Sequence, residues 1–299
     1  MIITFNARRI FAAATAAIAG IAIGVLITTA ISSGRALPTS GEAESADSDG
    51  IPIVIVMYHN FSKITSKCGT YTITPQLFEQ DILYLKSHGY EFVTCDDLAD
   101  YADCRKDLPD KCAMITIDDG YYNNYVYIYP ILKEQNVKAT ISPIAIESDN
   151  YTESGDMNPN YANLCWDNIR EMAESGLVSF QNHTYNLHKM MNGRRGCAKM
   201  RSESAAEYQS RLKADLGKAN EKIAAATGKS PICMVYPFGA ASAEARPVLD
   251  ELGLRMSLSC TEGISRITRD PESLYMLKRN NRPYGISSEN FFARLGIVK

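Results

Sequence analysis

Between Ile51 and Cys260 short apolar runs alternate with helix-like segments, and this alternation limits the folds open to the chain more than any other feature. IPIVIVMY (51–58), EFVTC (91–95), AMITI (113–117), VKATIS (137–142), LVSFQN (177–182), ICMVYP (232–237) and LRMSLSC (254–260) read as strands. Their apolar residues run on instead of alternating with polar ones, as in strands covered on both faces. The segments between them carry helix signals. Thr74 is placed to cap a helix that begins at Pro75, lines one face with Leu77, Phe78, Ile82 and Leu85, and stops at Gly89. A tyrosine-rich helix runs to about Gln135, another from Trp166 to Ser175 ahead of Gly176, a long one from about Glu203 to Thr227, and one near Glu244–Leu252. Repeated strand-then-helix units need crossover connections, so the strands are expected to lie parallel, in a barrel or a doubly wound sheet, and a barrel is favoured. No Pro/Gly-rich break divides residues 51–299, which are expected to form one domain.

The first fifty residues differ in kind. Residues 1–9 form a short tail ending in Arg8 and Arg9, and Ile10–Gly34 contains no charged side chain. As a helix, residues 10–34 would span about 37 Å at 1.5 Å per residue, more than a hydrocarbon core of about 30 Å. The basic pair ahead of the run puts the N-terminus in the cytoplasm and the body of the protein outside. The length of the run favours an uncleaved transmembrane anchor over a cleaved signal sequence, which would leave the protein secreted. Residues 35–50 are small, polar and acidic and read as a flexible linker.

Charge narrows the partners. With 31 basic and 34 acidic side chains the net charge is −3, so there is no excess of the kind that recruits nucleic acid. The basic stretch GRRGCAKMR (193–201) reads as a solvated surface loop, and nothing in the chain announces a protein partner. Cysteines stand at 68, 95, 104, 112, 165, 197, 233 and 260, too far apart for the CxxC pairs of zinc ribbons and thioredoxin-like sites. An extracytoplasmic setting permits disulfides without fixing their pairing, and buried free thiols are the alternative.

Several common chemistries are missing: there is no GxSxG elbow, no GxGxxG after a strand and no HExxH helix. What remains is polar residues at strand ends, where parallel α/β folds gather their catalytic groups. Asp118-Asp119-Gly120 follows AMITI, His183 and His188 follow LVSFQN, and His59 closes IPIVIVMYH, leaving His88 alone at a helix end. Each of these has an ordinary structural reading, as a turn or a satisfied histidine. Together they place two imidazoles and a carboxylate, a common ligand set for a catalytic zinc, on one edge, with a second carboxylate spare for proton transfer. A spacing of five sets two imidazoles about 140° apart on an ideal helix, so His183 and His188 meet on one ion only if a loop carries them.

ITIDDG, NHTYNLH and YPFG (236–239) resemble, in order, three motifs of the polysaccharide deacetylase family, the NodB homology domain of the carbohydrate esterase 4 group. VMYH, TPQLFEQDILYLKSHGYEFVTCDDL and WDNIREMAESGLVSFQNHTYNLH are similar to the subgroup containing poly-β-1,6-N-acetylglucosamine deacetylases, and the likeness runs from about Ile51 to Arg282. The resemblance implies a distorted (β/α) barrel behind one N-terminal transmembrane helix. It also implies metal-dependent removal of acetyl groups from N-acetylglucosamine-type residues of an extracytoplasmic polysaccharide, either peptidoglycan or poly-N-acetylglucosamine. Asp118 would be the general base and His59 the general acid, with the backbone N–H of Phe238 supporting the oxyanion. Asp119, His183 and His188 would hold a divalent metal, zinc in the first place, with cobalt or nickel as alternatives. Two departures stand out: Val235 takes the place of an arginine two residues before the third-motif proline, and no histidine follows His188. They fit the subgroup that draws its acid from His59. The missing arginine also leaves open a glycan-binding module with impaired turnover. Arg279 lies where the subgroup often has an arginine and is left outside the catalytic set; Asn182 replaces a common serine.

Overall fold

The computed structural model describes residues 50–191 and 193–298. Strand β1 (Ile51–Tyr58) pairs in parallel with β2 (Cys112–Asp119), β2 with β3 (Ala139–Pro143), and β3 with β4 (Val178–Phe180). A second parallel pair, β5 (Cys233–Val235) and β6 (Met256–Leu258), has its own ladder. Strand β7 (Ser265–Ile267) runs antiparallel to the start of β1, and β8 (Asn280–Asn281) runs parallel to its end. Single parallel bridges connect the two sets. Asn182 with Met234 carries β4 over to β5, and Leu258 with Leu277 carries β6 towards β8. What the sequence leads one to expect as a barrel is thus a parallel α/β sheet whose two ends are joined through isolated bridges. The strands at those joins are two or three residues long, too short for full ladders.

The unbroken apolar runs have a direct cause. Side chains along a strand point alternately to opposite faces. Ile53 and Ile55 join Met114, Val235, Met256 and Leu258 in one core, while Val54, Val56 and Tyr58 join Ile115, Ile117 and the flanking helices in another. With a core on each side, neither face of β1 from Ile53 on, nor of β2, meets solvent, and each fully buried aliphatic side chain adds about 1.5–3 kcal/mol.

Helix α1 (Pro75–Ser87) follows the sequence closely: Thr74 accepts from the Leu77 N–H at 3.2 Å, and Leu77, Phe78, Ile82 and Leu85 are buried. EFVTC departs from expectation. Only Glu91–Phe92 pair with β2, because Thr94 and Asp97 form a capping box that starts α2 (Cys95–Ala102) instead. The tyrosine-rich segment opens as a π-helical turn, Asn124–Ile128, before α3 (Tyr129–Gln135). A helix that the periodicity does not announce, α4 (Ala145–Ser154), precedes α5 (Trp166–Glu174). The long helix α6 (Ala205–Thr227) has a Ser204/Glu207 capping box and ends at left-handed Gly228. Near Glu244 a 3-10 turn leads into a short α7 (Arg246–Glu251), and α8 (Ser288–Ala293) closes the fold.

Among the described residues no helix is long and apolar enough to cross a membrane, and the expected span at 10–34 lies outside them, as does the linker but for Gly50. All eight cysteines are free thiols, most of them buried.

Candidate active site

Parallel strands present their C-terminal ends on one edge, and the register sets which side chains meet there. Tyr58 is opposite Ile117, so His59 emerges at the level of Asp118. Asp118 and Asp119 face Ser142 and Pro143 on β3. The Asn182–Met234 bridge brings His183 beside Val235, and the turn Pro237–Gly239 follows β5 directly. His88 stays apart: it caps α1, its Nδ1–H donating to Tyr84 O at 2.7 Å while its ring stacks on Tyr84.

Asp119, His183 and His188 converge. One ligand atom from each lies within 4.8 Å of the others, and Asp119 Oδ1 is 3.5 Å from His183 Nε2 and 3.3 Å from His188 Nε2. Oδ1 is nonetheless a buried oxygen without a hydrogen bond, a costly state unless something else completes it. His183 is oriented for the same point. Its Nδ1 lies 2.7 Å from Val235 O and, facing a carbonyl, must carry the proton, which leaves the Nε2 lone pair turned towards Asp119. Burial opposes charge on His183, but Asp119 and Asp118 outweigh it and raise its pKa. Burial, with the charge of His183 adding, lowers that of His188. An orphaned carboxylate oxygen and two imidazoles within reach of one point fit a divalent cation.

The five-residue spacing works because the segment is not helical. Thr184 adopts φ +76°, its N–H donates to Asn182 Oδ1 at 2.8 Å, and its hydroxyl accepts from Leu187 N–H at 3.1 Å. Asp215, reaching from α6, accepts from the N–H groups of Tyr185 and Asn186, both at 2.9 Å. That carboxylate lies outside the sequence motif, and its place between Leu212 and Leu216 gives no signal of the role.

Asp118 is gripped by Arg279. Nη1 and Nη2 meet its two oxygens at 2.7 and 2.9 Å, while Nε donates to Ser259 O at 2.8 Å. The Arg279 side chain is fully buried and that of Asp118 nearly so. Burial pushes the Asp118 carboxyl up, but Arg279, helped by His183 and His59, prevails and holds it well below the usual carboxylate range. Asp118 is therefore ionised, in a fixed orientation. Arg279 thus lays a guanidinium on Asp118 from outside the three motifs.

His59 is held by its backbone, its carbonyl accepting from Asn124 Nδ2 at 3.1 Å, and its ring meets Tyr71 edge-on at 5.0 Å. Burial lowers its pKa despite the charges of Asp118 and Asp119, so the ring is neutral near pH 7, and Nδ1 is buried without a partner. Phe238 sits against His188, ring centroids 4.5 Å apart. Asp119, Thr184 and Phe238 all have positive φ, at 69°, 76° and 59°. Backbone strain of this sort is sustained where the surroundings over-determine it, commonly at functional sites.

This fold and site define a class. The family model described as polysaccharide deacetylase matches residues 105–257, about half of the chain, and the chain belongs to that family. The matched segment holds Asp118, Asp119, both clustered histidines and Phe238, while His59 and Arg279 lie outside it. Among individual relatives, the poly-β-1,6-N-acetyl-D-glucosamine N-deacetylase of Escherichia coli strain K12 is 25% identical over 247 residues, covering 76% of this chain and 37% of that protein. The protein of the same name from Staphylococcus aureus strain N315 is 26% identical over 204 residues, covering 68% of this chain and 66% of that one. The chain thus spans well under half of the first relative's length and about two-thirds of the second's. A solved structure of a de-N-acetylase from Aggregatibacter actinomycetemcomitans superposes with a TM-score of 0.68 at 27% identity, covering 83% of this chain and all of that one.

Proposed function

We propose that the chain is a metal-dependent polysaccharide N-deacetylase that releases acetate from N-acetylglucosamine-type residues. The observation that carries this reading is the convergence of Asp119, His183 and His188 beside an ionised, arginine-held Asp118 and a neutral His59. The names of the relatives favour a β-1,6-linked N-acetylglucosamine polymer as substrate, with peptidoglycan as the alternative. The uncharged stretch at 10–34, preceded by Arg8 and Arg9, supports a single-pass membrane protein with residues 51–299 outside the cytoplasm, or a secreted one if the segment is cleaved.

Asp119, His183 and His188 would hold the cation, which when bound supplies Lewis acidity, polarising an amide carbonyl and making water acidic near neutral pH. The protein's own groups move the proton. Asp118, ionised and immobile, accepts it from the attacking water. Because Arg279 makes protonated Asp118 a strong acid, the proton passes readily to neutral His59. The His59 imidazolium then delivers it to the departing amine, so the water proton ends on the glucosamine nitrogen and the acetyl group leaves as acetate. The Phe238 amide, presented by a left-handed turn, donates to the oxyanion that forms on the way.

A catalytically impaired glycan-binding module rests on the arginine missing at Val235. Arg279 on Asp118 favours the enzyme over it, since the carboxylate has a guanidinium partner without one at Val235. Purified chain loaded with zinc, cobalt or nickel is expected to release acetate from β-1,6-linked N-acetylglucosamine oligomers or from peptidoglycan fragments, and Asp118→Asn to abolish the release. Sugar binding without acetate release, with metal verified in the protein, sinks the enzymatic reading in favour of the binding module.

A further inference from the structure

The basic stretch 193–201 reads from sequence as a solvated loop, yet part of it forms a hairpin that bridges two parts of the site. Met190–Met191 pair antiparallel with Arg194–Arg195, two residues after His188, and the hairpin closes where Gly196 N–H donates to Lys189 O at 2.9 Å. Its base lies against the Pro237–Gly239 turn. Gly196 has φ +54°, and a Cβ there would fall 2.9 Å from Pro237 O and 3.2 Å from Phe238 Cδ2, so the hairpin backbone approaches as closely as only glycine permits. Arg195 then reaches over the turn. Its Nη2 donates to Phe238 O at 3.2 Å, and its guanidinium lies 6.0 Å from the centre of the Phe238 ring, whose own contact with His188 is at 4.5 Å.

Phe238 holds a left-handed conformation, φ 59° and ψ 12°, that a residue with a side chain adopts at a cost of about 1–2 kcal/mol. The hydrogen bonds within the turn, Gly239 N–H to Tyr236 O and Ala240 N–H to Pro237 O, do not involve the Phe238 carbonyl. We infer that Arg195 is a positioning residue for the Phe238 peptide: by holding the carbonyl and flanking the ring it fixes the torsions of Phe238, and with them the direction of its N–H. The inference rests on the deacetylase reading for its catalytic consequence, but the conformational consequence stands by itself.

The test compares Arg195→Ala and Arg195→Lys with the unmodified full chain, zinc-loaded. Amide hydrogen exchange of a peptide covering residues 236–241 is expected to quicken in Arg195→Ala and to return towards normal in Arg195→Lys, which keeps a donor. Acetate release is expected to fall about 10-fold in kcat with KM and zinc affinity little changed, because the turn serves the transition state and not the metal. Unchanged exchange in Arg195→Ala overturns the inference, as does unchanged kcat in an active protein. A parent that releases no acetate while Arg195→Ala still quickens exchange sinks the deacetylase reading and leaves the positioning role standing.

Discussion

Arg279 and Asp118 face each other through two hydrogen bonds, 2.7 and 2.9 Å long, with Arg279 fully buried and Asp118 nearly so. Two consequences follow from that burial. The carboxylate cannot rotate away from its task, and removing either partner strands a charge in the interior.

Arg279→Gln is therefore expected to lower stability by about 3–5 kcal/mol and to cost at least about 100-fold in acetate release. The double variant Arg279→Gln/Asp118→Asn, which buries no charge at this point, should recover much of the lost stability and none of the activity. Urea denaturation read beside acetate release separates the two effects; a double variant no more stable than Arg279→Gln contradicts the pairing.

The same pair sets a pH dependence. Because the folded pKa of Asp118 is depressed, its contribution is complete above the unfolded value of about 3.9 and is lost as pH falls through the lower folded value. The stability gap between the unmodified protein and Arg279→Gln should thus be largest near neutral pH and narrow on acidification, starting above about pH 4, because burial without Arg279 raises the Asp118 carboxyl in the variant, and continuing as the carboxyl of the unmodified protein takes up its proton. A gap that widens on acidification tells against a depressed Asp118.

Asp215 is not one of the three clustered residues Asp119, His183 and His188, yet it ties down Tyr185 and Asn186 in the loop between the two histidines. Asp215→Ala should weaken zinc binding about 10- to 100-fold, as losses of supporting groups around metal ligands do, while the protein stays folded. Competition against a chromophoric chelator measures this, and unaltered affinity refutes the clamp.

Gly120 turns the chain away from the two aspartates with φ +71°, and a Cβ there would lie 2.8 Å from Pro143 Cβ and 2.9 Å from its Cα. Gly120→Ala should cost at least about 1–3 kcal/mol from the strained torsion alone, more with the clash. Stability equal to that of the parent in thermal unfolding refutes the close approach.

Four of the site residues that could be read from the sequence share one property: each sits at the end of an apolar run. His59, Asp118, Asp119 and His183 are where β1, β2 and β4 stop, and parallel pairing does the rest. Phe238 was legible only through the family motif around it. Arg279 was harder because its partner lies 161 residues away and LKRNNR has the charge density of a surface segment; the buried Arg282–Asp81 pair, 201 residues apart, hides in the same way. Buried ion pairs are set by tertiary contact, which hydropathy does not register. Local chemistry also beat pattern at Val93–Cys95, where the Thr94–Asp97 capping box ends a strand that composition would extend. Asp215 and Arg195 act through backbone groups of other segments, a relation that no spacing encodes.

The most direct test of the account is anomalous diffraction at the zinc edge from crystals of the zinc-loaded protein. It predicts one ion per chain within about 2.0–2.2 Å of Asp119 Oδ1, His183 Nε2 and His188 Nε2. An ion bound elsewhere, or none at these three atoms in protein shown to contain zinc, contradicts it.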